Sequence, residues 1–113
     1  MADGCLFCRV ASGDIPATLI AQSARCVAFR DINPQAPVHA LVIPREHIAS
    51  LDALTDAGLF AEMTMLAQQV ARDEGVAESG WRLVANTNKD AGQSVHHLHL
   101  HILGGRAMQW PPG

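Results

Sequence analysis

The stretch Gly92-Gln93-Ser94-Val95-His96-His97-Leu98-His99-Leu100-His101-Ile102-Leu103-Gly104-Gly105 decides how the chain folds. From His97 it alternates histidine with an aliphatic residue, and it ends at two glycines. Strict period two predicts a half-buried strand. Successive strand side chains point to opposite faces, so His97, His99 and His101 share one face and Leu98, Leu100 and Ile102 the other. The aliphatic face is expected to pack on the core. Neighbouring imidazoles on the other face then stand about 6.5 to 7 Å apart. His96 falls opposite His97 and takes no catalytic role.

Working outward, Cys5 to Ala11 predicts a short helix stopped by Gly13, and Asp14-Ile15-Pro16 a turn. Ala17 to Gln22 and Cys26 to Phe29 read as strands of a hairpin. Asp31 to Pro37 is a proline-pinned loop. Ala40-Leu41-Val42-Ile43 is a continuous apolar run, hence a central strand ended by Pro44. Leu59, Met63, Leu66 and Val70 give an amphipathic helix over Thr55 to Glu74, with Thr55 as N-cap, Asp56 in the first turn and Gly75 as its stop. Trp81 to Thr87 reads as the strand before the loop 88–93, and the tail 108–113 is irregular. The expected fold is α+β: a mostly antiparallel five-stranded sheet with one long helix on a face and a short N-terminal helix.

Composition bounds the rest. The 113 residues suit one domain, residues 1–113, that buries roughly two-thirds of its extended-chain surface. A net charge of −3 with no Lys/Arg cluster argues against a nucleic-acid groove. No apolar run reaches membrane-spanning length, and Met1-Ala2-Asp3-Gly4 lacks the pattern of a signal peptide. Three cysteines, an odd count, argue against a disulfide framework, so the expected setting is reducing and cytoplasmic.

The histidine row admits three readings. It is a solvated strand face, a zinc site built from i and i+2 histidines, or a centre for phosphoryl chemistry. The third fits best. Neutral imidazole attacks phosphorus well, a neighbouring imidazole can donate to a phosphate oxygen, and a Ser hydroxyl with Gly-rich backbone N–H groups can hold the rest. Gly92-Gln93-Ser94 supplies those groups just before the row.

His97-Leu98-His99-Leu100-His101-Ile102-Leu103 resembles the His-x-His-x-His-x-x motif of the histidine triad superfamily. Cys26 to His39, Leu41-Val42-Ile43-Pro44, Gly104-Gly105-Arg106 and Trp110-Pro111-Pro112-Gly113 resemble its Hint branch, the histidine triad nucleotide-binding proteins. The similarity runs from about Cys5 to the C-terminus. It implies a HIT-like fold whose sheet continues across a homodimer, purine nucleotide binding, and hydrolysis of nucleoside phosphoramidates without a catalytic cofactor.

The resemblance also implies residue roles. His99 matches the nucleophile, which forms a nucleotidyl-histidine. His101 matches the phosphate contact, His97 an orienting histidine, and Ser94 a hydrogen-bonding group near the leaving group. His39 matches a fourth site histidine credited with leaving-group proton transfer. Asp31 matches the ribose carboxylate and Asn86 a phosphate- or ribose-side contact. Gly92, Gln93, Ser94 and Val95 form the phosphate-side loop. Leu6, Phe7, Val10, Phe29 and Ile32 match an apolar base pocket, although Phe29 and Ile32 also read as core and Asp31 as a turn residue. Trp110 is either a plug on its own subunit or, as in Hint proteins, a segment reaching the partner's site. Arg30 and Asn33 stand where the family often has histidine and serine.

One Cys-x-x-Cys, Cys5 and Cys8, lacks the second pair that zinc spacing wants, and His47 and His97 could supply it. Zinc-carrying members of the superfamily use such residues, which implies a structural Zn²⁺. Cys26 reads as a buried small hydrophobe. The expected activity is a purine nucleoside phosphoramidate hydrolase of the adenosine 5′-monophosphoramidase type. The alternatives are a purine nucleotide-binding interaction module with incidental catalysis and a dinucleoside polyphosphate hydrolase.

Overall fold

Helix α1 (Leu6–Ser12) forms where the sequence places it. The Cys5 sulfur accepts from the Cys8 N–H at 3.4 Å, and Gly13, at φ 84°, closes the last turn. The structure is a computed structural model that describes residues 4–113; Met1-Ala2-Asp3, on which most of the leader reading rests, lie outside the described residues. Strands β1 (Leu19–Gln22), β2 (Cys26–Arg30) and β3 (Val38–Pro44) follow. Helix α2 (Ala57–Asp73), β4 (Trp81–Val84) and β5 (Leu100–Gly104) complete the elements, with short 3₁₀ turns at Leu51–Ala53 and Lys89–Ala91. The fold is α+β, with one five-stranded sheet in the order β1-β2-β3-β5-β4, every neighbouring pair antiparallel.

Both faces of the sheet are covered, which explains the unbroken apolar run of β3. Cys26, Ala28, Ala40, Val42, Leu100 and Ile102 face α2, which buries Leu59, Met63, Leu66 and Val70 against them. Val27, Phe29, Leu41 and Ile43 face the other way and pack on Phe7 and Val10 of α1. A full burial of each large aliphatic side chain is worth about 1.5–3 kcal/mol, so the α2 face carries most of the stability.

Three boundaries differ from the sequence reading. Helix α2 is capped by Asp56, whose Oδ1 accepts from the Leu59 N–H at 3.2 Å, and not by Thr55. The histidine strand starts at Leu100, not His97, so His97 and His99 lie on an extended approach to it. Val42 pairs with Leu100. Continuing that register would bring Leu98 opposite Pro44, which has no N–H to donate, so the ladder stops. Leu98 instead donates its N–H to Ile48 O at 2.6 Å. Strand β4 stops at Val84 rather than Thr87, because Val84 pairs with His101, one residue from the start of β5, and β5 offers Asn86 and Thr87 no partner. The alternation of faces survives all this: Leu98, Leu100 and Ile102 join the α2 core, and His97 and His99 pack edge-on against Phe7 on the α1 side.

Candidate active site and metal cluster

A pocket of about 290 Å³ opens on the α1 face of the sheet, near the lower bound of small-molecule sites. Its floor is Leu41, His99 and His101; Phe7 and Phe29 form a wall in edge-to-face contact, ring centroids 5.5 Å apart. Leu6, Val10, Asp31, Ile32, Ser94 and Val95 complete the rim and sides. Ile32 is 99% exposed and Leu6 47%, so two apolar side chains stand uncovered at the mouth. A larger groove of about 940 Å³ lies between β4 and the C-terminal tail, but none of the three alternating histidines lines it.

Backbone groups fix the tautomers of His99 and His39, and His39 in turn fixes that of His101. His99 Nδ1 donates to the His97 carbonyl at 2.7 Å, leaving the lone pair on Nε2. The Gln35 N–H donates to His39 Nδ1 at 3.0 Å, so the His39 proton is on Nε2. That Nε2–H faces His101 Nδ1 at 2.9 Å and the Asp31 carboxylate at 3.4 Å. His101 Nδ1 is therefore an acceptor, and its own proton is carried on Nε2. Burial pushes His101 down to about 4, with His99 and His39 adding repulsion. Burial lowers His39 as well, against the pull of Asp31. Both rings are neutral at pH 7, which is the form a hydrogen-bond chain of this polarity requires. Asp31 also accepts the Asn33 N–H at 2.8 Å, so it is at once the turn residue and a pocket group.

His97 turns away from this set. It is fully buried, and its Nε2 donates to Pro44 O at 2.8 Å. Its Nδ1 lone pair then faces the thiols of Cys5 and Cys8, at 3.4 and 3.5 Å. His47 Nδ1 lies 3.3 Å from the Cys8 sulfur. These four ligand atoms lie within 4.8 Å of one another. A tetrahedral zinc with sulfur at about 2.3 Å and nitrogen at about 2.0–2.1 Å sets sulfur–nitrogen edges of about 3.5 Å. The donor set and its spacing fit a closed metal site.

Most of the expected pocket residues meet here. Leu6, Phe7, Val10, Phe29, Asp31, Ile32, Ser94, Val95, His99 and His101 surround one cavity, and His39 lies beneath it. Asn86 and Trp110 line the other groove instead, and Trp110 is 84% exposed, so it plugs nothing on its own subunit. Gly92 lines neither cavity, and its φ of 79° serves the turn before Ser94. Gln93 is buried and spends its amide on the backbone: Oε1 accepts from Asn88 N–H, and Nε2 donates to Ala49 O and Val95 O. It shapes the loop rather than facing a ligand. Sequence reasoning missed Ile15, Pro16, Ala17, Arg30 and Leu41, which also border the pocket. An apolar Ile-Pro-Ala run after a helix carries no periodic signal, and Leu41 reads as core because it is core too.

The likeness to known proteins agrees with this geometry. Over its whole length the chain is 44% identical to an uncharacterized HIT-like protein of Synechocystis, and it spans all of that protein as well. A HIT family hydrolase from Legionella pneumophila superposes with a TM-score of 0.94 at 50% identity, over 97% of this chain and 100% of that one. A histidine triad protein from Clostridium difficile superposes with a TM-score of 0.93 at 36% identity, over 96% of each chain. Residues 12–108 match the HIT domain family, and with the three alternating histidines, their pocket and the sheet that presents them, the chain belongs to that family.

Proposed function

We propose that the chain is a purine nucleoside phosphoramidate hydrolase working by double displacement at His99. The observation that carries this reading is the His99 tautomer: Nδ1 is spent on His97 O, and the ring lines the pocket with Nε2 left to attack. Nε2 bonds to the α-phosphorus as the P–N bond of the substrate breaks. The departing amine takes a proton by way of the Ser94 hydroxyl, which regains one from water. Water then attacks the phosphorus, the phosphorus–histidine bond breaks, and a nucleoside monophosphate leaves. His101 Nε2–H donates to a phosphate oxygen as charge builds there. The His97 carbonyl stabilises the imidazolium that His99 becomes, as a fixed acceptor on Nδ1–H. Phe7, Phe29 and Ile32 suit a purine face, and the Asp31 carboxylate suits the two ribose hydroxyls.

Cys5, Cys8, His47 and His97 are proposed to hold a structural Zn²⁺, which when bound ties α1 to the turn before His99. No step of the reaction passes through it. A homodimer is proposed across β4, supported by this edge strand's being paired on one side only and by its own Leu83, 39% exposed. No helix among the described residues is long and apolar enough to cross a membrane, and the cytoplasm is the proposed location.

Intact-protein mass spectrometry after a quenched reaction with an adenosine phosphoramidate tests the mechanism. A nucleotidyl adduct on the wild type, absent from His99→Ala, is expected. Purine monophosphate binding with no amine release would mean a binding module instead. Faster cleavage of a dinucleoside polyphosphate than of the phosphoramidate would move the chain to that other branch.

A further inference from the structure

We propose that Arg106 is a positioning residue for the reaction, acting on His101 through the Gln35 backbone and His39. The guanidinium donates twice to one carbonyl: Nε and Nη2 reach Gln35 O at 3.2 and 3.1 Å. Its third contact, Nη1 to Ala107 O at 3.2 Å, braces it on its own loop. Residue 35 is thereby held from both ends, its carbonyl by Arg106 and its N–H by His39 Nδ1 at 3.0 Å. This N–H, with the Asp31 carboxylate 3.4 Å from Nε2, keeps the His39 proton on Nε2, where it donates to His101 Nδ1 at 2.9 Å. The chain of donors therefore runs from a surface arginine, through one residue's backbone, to the imidazole that meets the phosphate.

Otherwise the loop is held at its start, where Asp31 donates its N–H to His39 O at 3.0 Å and accepts the Asn33 N–H on Oδ1 at 2.8 Å. Asn33, Pro34, Gln35 and Pro37 are exposed, and the Gln35 side chain bonds only within the loop, to Asn33 O at 3.0 Å. Gly105 lets the turn after β5 approach closely. It has φ 90°, and a Cβ there would lie 2.9 Å from the Pro37 Cβ. Arg106 thus leaves β5 at the point where that turn meets the loop. If residue 35 drifts, Asp31 alone still favours the Nε2 proton, and part of the His39 population can move it to Nδ1 and turn its lone pair toward His101. His101 Nδ1 would then need its own proton, and Nε2 would lose the one it offers to phosphate. A donor to the substrate would become an acceptor, at no cost to the pocket's shape.

The part of this inference that concerns turnover rests on the proposed hydrolase reading; the tautomer assignment does not. The test is carried out on the full chain with Arg106→Ala, beside Gln35→Pro, which deletes the N–H outright and reports what its loss looks like. Ring ¹⁵N shifts from long-range ¹H–¹⁵N spectra give the His39 tautomer, and steady-state kinetics with an adenosine phosphoramidate give kcat and KM. Wild type is expected to show protonated Nε2 and bare Nδ1 on His39. In Arg106→Ala this pattern averages toward a mixture, kcat falls about tenfold, and KM stays within about twofold, as expected for lost positioning rather than lost binding. An unchanged His39 pattern in Arg106→Ala overturns the assignment, and so does an unchanged kcat. If the wild type turns over no phosphoramidate, the hydrolase reading fails, and the spectra alone decide whether Arg106 sets the tautomer.

Discussion

The cluster of Cys5, Cys8, His47 and His97 and the chain of Asp31, His39 and His101 use the same kind of side chain at neighbouring places, yet they differ in what surrounds them. In the first, a buried ring turns its lone pair to two sulfurs, one of which also meets a second imidazole. In the second, one ring meets a carboxylate and passes a hydrogen bond to another that opens on a pocket. His99 stands between them: it takes its orientation from the His97 backbone and lends its free nitrogen to the pocket. Histidine chemistry here is assigned by what each nitrogen already holds, not by the spacing of the row. A closed, sulfur-lined set suits structure; an open, hydrogen-bonded set suits proton and phosphate handling.

Four experiments would break or sharpen that contrast. The largest effect is expected from His99→Asn, which removes the attacking nitrogen and leaves the sulfur-lined cluster alone. Turnover should fall by about three orders of magnitude or more, while binding of adenosine monophosphate, read by calorimetry, changes by only a few fold. Wild-type turnover in this variant would remove His99 as nucleophile.

The reverse experiment damages the closed cluster. Cys5→Ser with Cys8→Ser should abolish bound zinc, measured by elemental analysis. It should also cost about 2–4 kcal/mol, seen as a drop in Tm on the order of 10–20 °C. A chelator should bring the wild type down to the variant's Tm and leave the variant where it is. A chelator-insensitive wild type with no bound metal would mean the cluster is only a packed set of thiols and rings.

Asp31→Asn should weaken binding of adenosine monophosphate by roughly tenfold or more and bring it level with the 2′-deoxy analogue, since a hydrogen bond to a charged group is worth about 1.5–3 kcal/mol net of solvent. Equal discrimination between the two nucleotides in variant and wild type would place the ribose elsewhere.

The smallest effect is a pH dependence of stability. His101 is held down to about 4 from an ordinary 6.5, chiefly by burial. Below about pH 6.5 the unfolded chain therefore takes up a proton that the folded chain refuses until about pH 4. The unfolded state binds more protons across that window, so stability is full above it and falls as pH drops through it. After allowance for solvent on the pocket side, the loss is about 1–2 kcal/mol. His101→Asn should flatten the slope of Tm against pH between 6.5 and 4, leaving a remainder from His39, which burial also lowers. An unaltered slope would mean that His101 titrates normally in the folded chain.

Much of the architecture was legible because hydrophobic period maps directly onto faces. The spacing of Leu59, Met63, Leu66 and Val70 placed α2, and the alternation after His97 placed β5 and sorted its two sides. The boundaries were less legible. Where β5 begins depends on Pro44, a residue more than fifty positions away whose missing N–H ends the ladder. A second covered sheet face was not expected, because a helix of seven residues gives too short a pattern to announce what it packs on.

The sequence by itself determined the fold class, the row of imidazoles and the candidate ligand set for a metal, because each follows from residue type at a local period or from a motif. Only the tertiary structure decided which nitrogen of each ring is available. Pro44 O takes one proton of His97 and so aims its other nitrogen at the thiols. The Gln35 N–H does the corresponding work on His39. These partners are backbone atoms, identical in every residue but proline, so no side-chain pattern marks them. Their positions are set by where β3 ends and how the loop 31–37 docks, and that is information the folded chain alone contains.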